Sequence, residues 1–430
     1  MLHVAGAGGR LPGAAGWRGG GWPAMMALAW RNVWRRKGRS LAVATAVGAV
    51  VWLALVYFGL VGAAGTGVYQ RLVEQSGHLQ IRVADWREQH ELRSLLVPDA
   101  AGLARQVREA LPQARVEPVL EVPALLSGDS RSRGVVLAGQ SPPGWLEGRL
   151  RDGRWYDAGE PDAIVLGASL ARALGVGIGD WVYAYAPGTE GLGAGAFRVV
   201  GTVGLPDPAL EVRAAYLPLA ALQEMAAPGA ATRLEIDVGI VRLADDPLVG
   251  HLRDALVQVV EGRTASGPAL VVETWRTLNP AAASLVEMIR PMAAVVNALF
   301  FVMAGLLVLN NVYLSLMERI REFGTILALG ASRARVLGMV MLESLLLTAA
   351  GGAVGLALGL GTVAALSGGF TYPYYDLERW GLPTVLYLRL EPVDVAVTVA
   401  FTLATALVAA LWPGWVAARL EPVEAMRFRA

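Results

Sequence analysis

Four long apolar stretches interrupt a chain whose remaining segments alternate polar and apolar residues at short periods. Residues 40–70, 291–317, 344–375 and 395–418 carry no charged side chain. A helix needs about 20 apolar residues to cross a hydrocarbon layer. Charge-free runs beyond about 18 residues argue for such a crossing rather than for a buried core helix. The pattern predicts four transmembrane helices, at 40–64, 289–317, 343–367 and 393–418. The connections are unequal: residues 65–288 form one long charged segment rich in Gly and Pro, whereas 318–342 and 368–392 are short. The long segment is large enough for one or two folded domains.

Within 65–288 the periods are those of a mixed domain. Strands are expected at 77–85, 115–127, 134–138, 164–166, 181–186, 197–203 and 233–243, with a turn at Gly128-Asp129. Helices are expected at 99–111, 143–150, 168–174, 215–225 and 247–260, the first capped by Asp99 and stopped by Pro112. The fold class is therefore an integral membrane α-helical protein with four transmembrane helices and a large extracytoplasmic α+β domain between helices 1 and 2. A small β-rich insert accompanies that domain.

Composition agrees, with 55% hydrophobic and 17% charged residues, against about 25% charged in soluble domains. Orientation follows from the basic residues. Arg31, Arg35, Arg36, Lys37 and Arg39 precede the first span. Arg319, Arg321, Arg333 and Arg335 lie between spans two and three, and Arg419, Arg427 and Arg429 follow the fourth. The external loop 368–392 and its flank hold Asp376, Glu378, Glu391 and Asp394 against Arg379 and Arg389. Both termini and 318–342 are expected in the cytoplasm, with 65–288 outside. Residues 25–39 read as a cytoplasmic amphipathic helix, with Met26 and Trp30 toward lipid and Arg31, Arg35 and Arg36 toward headgroups. Residues 1–24 are Gly-rich and read as a disordered tail or a mis-assigned start; 419–430 read as a cytoplasmic tail. Cysteine is absent, so the external domain folds without disulfides.

The chemistry is mostly excluded. Lys37 is the one lysine and precedes Gly38, so no GxxxxGK[ST] phosphate loop exists in these residues. There is no HExxH, and His3, His78, His90 and His251 lack metal-ligand spacing. Gly167-Ala168-Ser169-Leu170-Ala171 lacks the second Gly of a nucleophile elbow. Asp245-Asp246 precede a helix, where capping accounts for them. The expectation is a non-catalytic membrane subunit with no cofactor or metal of its own and no nucleic-acid partner.

Three features of the apolar spans carry more information. Glu318-Arg319-Ile320-Arg321-Glu322-Phe323-Gly324-Thr325-Ile326-Leu327-Ala328-Leu329-Gly330 is a charged run held at a membrane face. Ile320, Phe323, Ile326 and Leu327 recur at helical spacing; Arg319, Arg321 and Glu322 surround the rest of the helix, and Gly330 ends or kinks it. Gly351, Gly355 and Gly359 make a smooth stripe for close helix packing, within the subunit or across a dimer. Asn297, Asn310 and Asn311 suit interhelical hydrogen bonding, headgroup contact or plain structural bonding, and Pro413 kinks or ends the last span.

With these residues in view, the chain resembles the permease subunits of the MacB/FtsX/LolCE superfamily of ABC transporters, from Ala27 to Phe428. The resemblance rests on Ala29-Trp30-Arg31-Asn32, on the run 318–332, on Glu343 and the Gly-rich third span, and on Glu421-Pro422-Val423-Glu424-Ala425-Met426-Arg427. Gly77-His78-Leu79-Gln80-Ile81, the run Val165 to Ala171, Leu174-Gly175-Val176 and Gly179-Asp180 look most like the lipoprotein-releasing branch. What the resemblance implies is a permease served by two copies of a separate ATPase that holds the ATP and Mg, paired with a second permease copy or paralogue. It also implies contact with membrane lipid and an acceptor in the periplasm. Glu318, Arg319, Arg321, Glu322, Phe323, Gly324, Leu327 and Gly330 become the ATPase-coupling residues, with Arg319, Arg321 and Glu322 facing the ATPase. A charge at Phe323 or Gly324 is expected to uncouple hydrolysis while leaving insertion intact. The implied function is mechanotransmission that extracts a lipoprotein or another amphiphile from the outer leaflet. The alternatives are an FtsX-like module activating a cell-wall hydrolase, or a MacB-like drug or peptide exporter. MacB-like exporters usually carry a fused ATPase, for which no room is expected before Leu41.

Overall fold

The computed structural model describes residues 37–142, 144–205, 207–261, 267–371 and 385–419. The tail at 1–24, the amphipathic pattern from Met26 to Arg36 and residues 420–430 thus lie outside the described residues. In chain order the main elements are α1 (Lys37–Ser76), β1 (Leu79–Val83), α2 (Ala100–Ala110), β2 (Arg115–Ser127), β3 (Ser132–Gly139), β4 (Leu150–Gly153) and β5 (Ala163–Gly167). Then come α3 (Ala168–Leu174), β6 (Trp181–Gly188), β7 (Gly191–Val203), β8 (Ala214–Leu217), α4 (Leu219–Ala226), β9 (Arg233–Asp237), α5 (Pro247–Glu261) and β10 (Leu270–Thr274). Four helices close the chain: α6 (Pro280–Glu318), α7 (Ile320–Ala328), α8 (Arg333–Leu366) and α9 (Pro392–Ala418). The described residues form two compact units, one holding those up to 63, 289–370 and those from 385 on, the other those of 64–288 and Thr371.

In the first unit, α1, α6, α8 and α9 are long and apolar enough to cross a membrane. The helices α1 and α6 run 40 and 39 residues. At about 1.5 Å per residue each measures about 60 Å, roughly twice a hydrocarbon core of about 30 Å. They therefore outlast the apolar runs 40–64 and 289–317. Val68, Tyr69, Leu72 and Val73 carry an apolar stripe onward in α1, and Ala283 and Val286 do the same at the start of α6. Likewise α8 begins at Arg333, ahead of 343, because Val336 and Val340 are already buried. Pro413 does not end α9, which continues to Ala418.

The second unit is built on a ten-stranded sheet in the order β10-β1-β9-β2-β3-β8-β5-β7-β4, with β6 joined to β2 and β7. Strand β2 serves two cores. Its first half, Arg115 to Val119, pairs with β9, and its second half pairs with β3. One core packs α2 and α5 on β1, β9 and β10 through Leu103, Val107, Leu234, Ile236 and Leu256. The other lies among β2, β3, β5, β6, β7, α3 and α4 around Leu120, Leu137, Leu166, Val182 and Leu222. Asp99 caps α2, its carboxylate accepting from the Gly102 amide at 3.1 Å.

Two expected elements change. Residues 215–225 are not one helix: β8 lies parallel to β3, Pro218 follows, and only then does α4 begin. Proline disfavours helical conformation in the residue before it, and Ala215 and Leu217 gain full burial as a strand. The strand expected to reach 243 stops at Asp237, since Gly239 turns the chain at φ 71°.

Candidate functional site

The helix α7 is short and two-faced. Ile320, Phe323 and Gly324 are buried, and Phe323 packs in the cluster that holds Val43, Val47, Val336, Val340 and Ala417. Glu318, Arg321, Glu322, Thr325, Ala328, Leu329 and Gly330 face outward. The helix ends in a Schellman motif: the Gly330 amide donates to the Leu327 carbonyl and the Ala331 amide to that of Ile326. Gly330 takes φ 90°, which only glycine adopts freely.

Arg319 is not on the outward face. Its side chain is 12% exposed, donates from Nε to Glu322 Oε2 at 2.9 Å and from Nη1 to Glu343 Oε2 at 3.1 Å, and lies 5.1 Å from the Phe323 ring centroid. The expectation has it facing an ATPase; here a carboxylate 24 residues away on α8 holds it. Phe323 and Gly324 are also inward, so a charge there breaks the packing of this helix before it tests any coupling. The exposed residues of this stretch are Glu318, Arg321, Glu322 and Leu329, with Leu327 half-buried at their edge.

The glycine stripe packs within the chain. A Cβ on Gly351 would lie 2.3 Å from the Ala44 carbonyl oxygen, and one on Gly355 would lie 2.2 Å from that of Gly48. Gly359 fits against Leu55. Ala44 and Gly48 are thus the partners of the stripe, and α1 meets α8 backbone to backbone, as small residues allow in membranes. Asn297 is buried, and its amide donates to Ala293 O one turn earlier in its own helix at 3.1 Å.

In the second unit, Trp275 is fully buried against Tyr69, with ring centroids 5.2 Å apart, and against Val73, Ala283 and Val286. The last turns of α1 and the first of α6 are thereby clamped together. The Trp275 indole donates to Asp246 Oδ1 at 2.6 Å, and Arg276 Nε donates to Oδ2 at 2.9 Å; Arg276 also pairs with Glu287. Asp246 is therefore not a helix cap. Its carboxylate is committed to the clamp. Beside it His78 is buried, with Nε2 2.8 Å from Ile240 O and Nδ1 2.9 Å from Asp237 Oδ1. That hydrogen bond, outweighing burial, holds the Asp237 carboxyl below the usual carboxylate range. Sequence reading passed over Tyr69 and Trp275 and took Asp246 for a cap; a lone Trp just before a long helix was the available signal.

A further regularity lies along α6. Leu285, Met288, Met292, Val295, Leu299, Val302 and Leu306 are all exposed. Their spacing of three and four residues in alternation is that of a coiled-coil seam.

The comparisons with known proteins follow this geometry. Residues 40–259 match the MacB-like periplasmic core domain, and residues 294–422 match the FtsX-like permease C-terminal region. The first match alone spans more than half of the chain. The chain belongs to the MacB/FtsX family. It is 24% identical over 441 residues to the macrolide export ATP-binding/permease protein MacB of Agrobacterium fabrum, covering 96% of this chain and 62% of that protein. It is 32% identical over 124 residues to the uncharacterized ABC transporter permease YknZ of Bacillus subtilis, covering 29% of this chain and 28% of that one. The periplasmic region of MacB from Actinobacillus actinomycetemcomitans aligns with 48% of this chain and 94% of its own at a TM-score of 0.34 and 15% identity.

Special closeness to the lipoprotein-releasing branch is not shown by these matches. The residues that suggested it are fold-making ones. Gly77 takes φ 72° with its Cβ position 3.0 Å from Ile236 backbone atoms, and a Cβ on Gly167 would lie 2.0 Å from Glu211 O. Gly175 and Gly179 also take positive φ.

Proposed function

We propose that this chain is the permease part of an ABC transporter of MacB type, driven by an ATPase that engages the outward face of α7. The observation that supports this most directly is the division of 318–330. A helix that buries Phe323 in the bundle while presenting Arg321, Glu322 and Leu329 can transmit a push without dissolving its own packing. In this reading α7 and both termini are cytoplasmic, and the external unit works outside the inner membrane. ATP and Mg stay with the ATPase, and the permease does no chemistry. Motion entering at α7 passes along α1 and α6, which the Trp275 clamp joins in the external unit. The substrate is an amphiphile handled outside or at the outer leaflet. Relatives named for macrolide export support a MacB-like exporter over lipoprotein release. A second permease copy is the occupant proposed for the α6 seam, because Leu285 and Met288 stay exposed outside the charge-free run.

Topology tests the frame. The chain has no cysteine, so Leu192→Cys and Leu329→Cys each carry a single thiol. An impermeant maleimide should label the first from outside spheroplasts and the second only in inside-out vesicles. The reverse pattern would overturn the assignment.

A further inference from the structure

One end of α9 is closed by charge and the other is open. At its start Arg290 of α6 pairs with Glu391, and Asp394 caps the first turn by accepting from the Glu391 amide at 2.9 Å. Residues 395–418 then carry no charge, and Arg419 is the first ionised residue beyond them. Arg419 is exposed. Its guanidinium lies 4.0 Å from the Trp415 ring centroid, and among the described residues no carboxylate pairs with it.

Trp412, Trp415 and Arg419 follow one another at intervals of three and four residues, so they share one face of the helix. Both indoles are roughly half exposed. Trp412 is braced from α6 by Tyr313, the rings stacked with centroids 5.6 Å apart. One turn before each indole, Val408 and Leu411 continue the same face and are also exposed. Neither indole N–H meets an acceptor among the described residues.

The polar atoms on this face are donors, since an indole nitrogen and a guanidinium only donate. They stand at the end of an apolar helix face, where tryptophan rings settle at the level of lipid headgroups. Donors without acceptors in that place suit a negatively charged acceptor joined to an apolar tail. The last carbonyls of a helix favour cations, so attraction for an anion comes here from Arg419 and the indoles. We propose that this end of α9 binds an anionic phospholipid, its phosphate held by Arg419 and the rim of the Trp415 indole, with an acyl chain along Val408 and Leu411. A free inorganic anion would meet the donors and leave the apolar face bare, so the lipid is the source of the charge. The site needs α9 to span a membrane and is independent of the ATPase reading.

The test titrates the full chain in detergent, with no ATPase present, with phosphatidylglycerol or with phosphatidylcholine of the same acyl chains. Bound lipid is read by native mass spectrometry. Phosphatidylglycerol is expected to bind about fivefold more tightly, and an excess of ammonium phosphate should not displace it. Trp415→Leu with Arg419→Gln should abolish the preference, while Arg333→Gln, at an exposed arginine opening α8, should keep it. Both altered side chains of the double variant are exposed, so its unfolding temperature stays at that of the parent and serves as the control. Equal binding of the two lipids, displacement by phosphate, an unchanged preference in the double variant, or an equal loss in Arg333→Gln would overturn the proposal.

Discussion

The two ends of α6 are built alike and read differently. At each, an arginine lies over the neighbouring aromatic ring and bridges two carboxylates: Arg276 over Trp275 with Asp246 and Glu287, Arg319 over Phe323 with Glu322 and Glu343. At the first end the indole and Asp246 are buried, with Arg276 half-buried and Glu287 exposed. At the second Phe323 is buried, and Arg321, Glu322 and Leu329 stay outside. In the proposed reading, the difference separates a joint that holds from one that a partner reaches. On that reading a pinned arginine stiffens each joint, and the exposed flank of α7 gives a partner a place to push.

The largest effect should come from the inward end. Trp275→Ala removes a fully buried aromatic ring and leaves Asp246 short of a donor, costing about 3–5 kcal/mol, seen as a large loss in equilibrium unfolding. If the variant were as stable as the parent, the clamp would not hold α1 to α6. Next is the bundle itself. Gly355→Ala forces a Cβ to within 2.2 Å of the Gly48 oxygen and should cost about 1–3 kcal/mol; a neutral result would mean that α1 and α8 are not in backbone contact. Smaller again is the outward end. A double-mutant cycle of Arg319→Gln and Glu343→Gln should return a coupling of about 1 kcal/mol, because the pair is largely sheltered. A coupling near zero would put Arg319 back on the surface.

What the sequence made legible follows the same division. Charge-free runs located the four long helices, since a run of that length has few soluble readings. The 318–330 run was legible as a helix with a glycine stop because its spacing is local. The inward turn of Arg319 was not, since Glu343 lies on the next helix and nothing in the run announces it. Asp246 looked like a cap for the same reason: Trp275 and Arg276 are about thirty residues on. Glycine spacing at 351, 355 and 359 predicted close packing, but Ala44 and Gly48, buried in an ordinary apolar run, did not declare themselves as its partners. That Glu117 stands opposite Glu235 appears only when strand register is known.

The central claim is that a partner's ATP cycle enters through the outward face of α7 and not through its buried one. Hydrolysis by the cognate ATPase, with and without this permease in proteoliposomes, measures that directly. Arg321→Glu combined with Leu329→Asp should abolish stimulation while the unfolding temperature of the permease stays at that of the parent. Full stimulation by the double variant, at wild-type stability, would contradict the account.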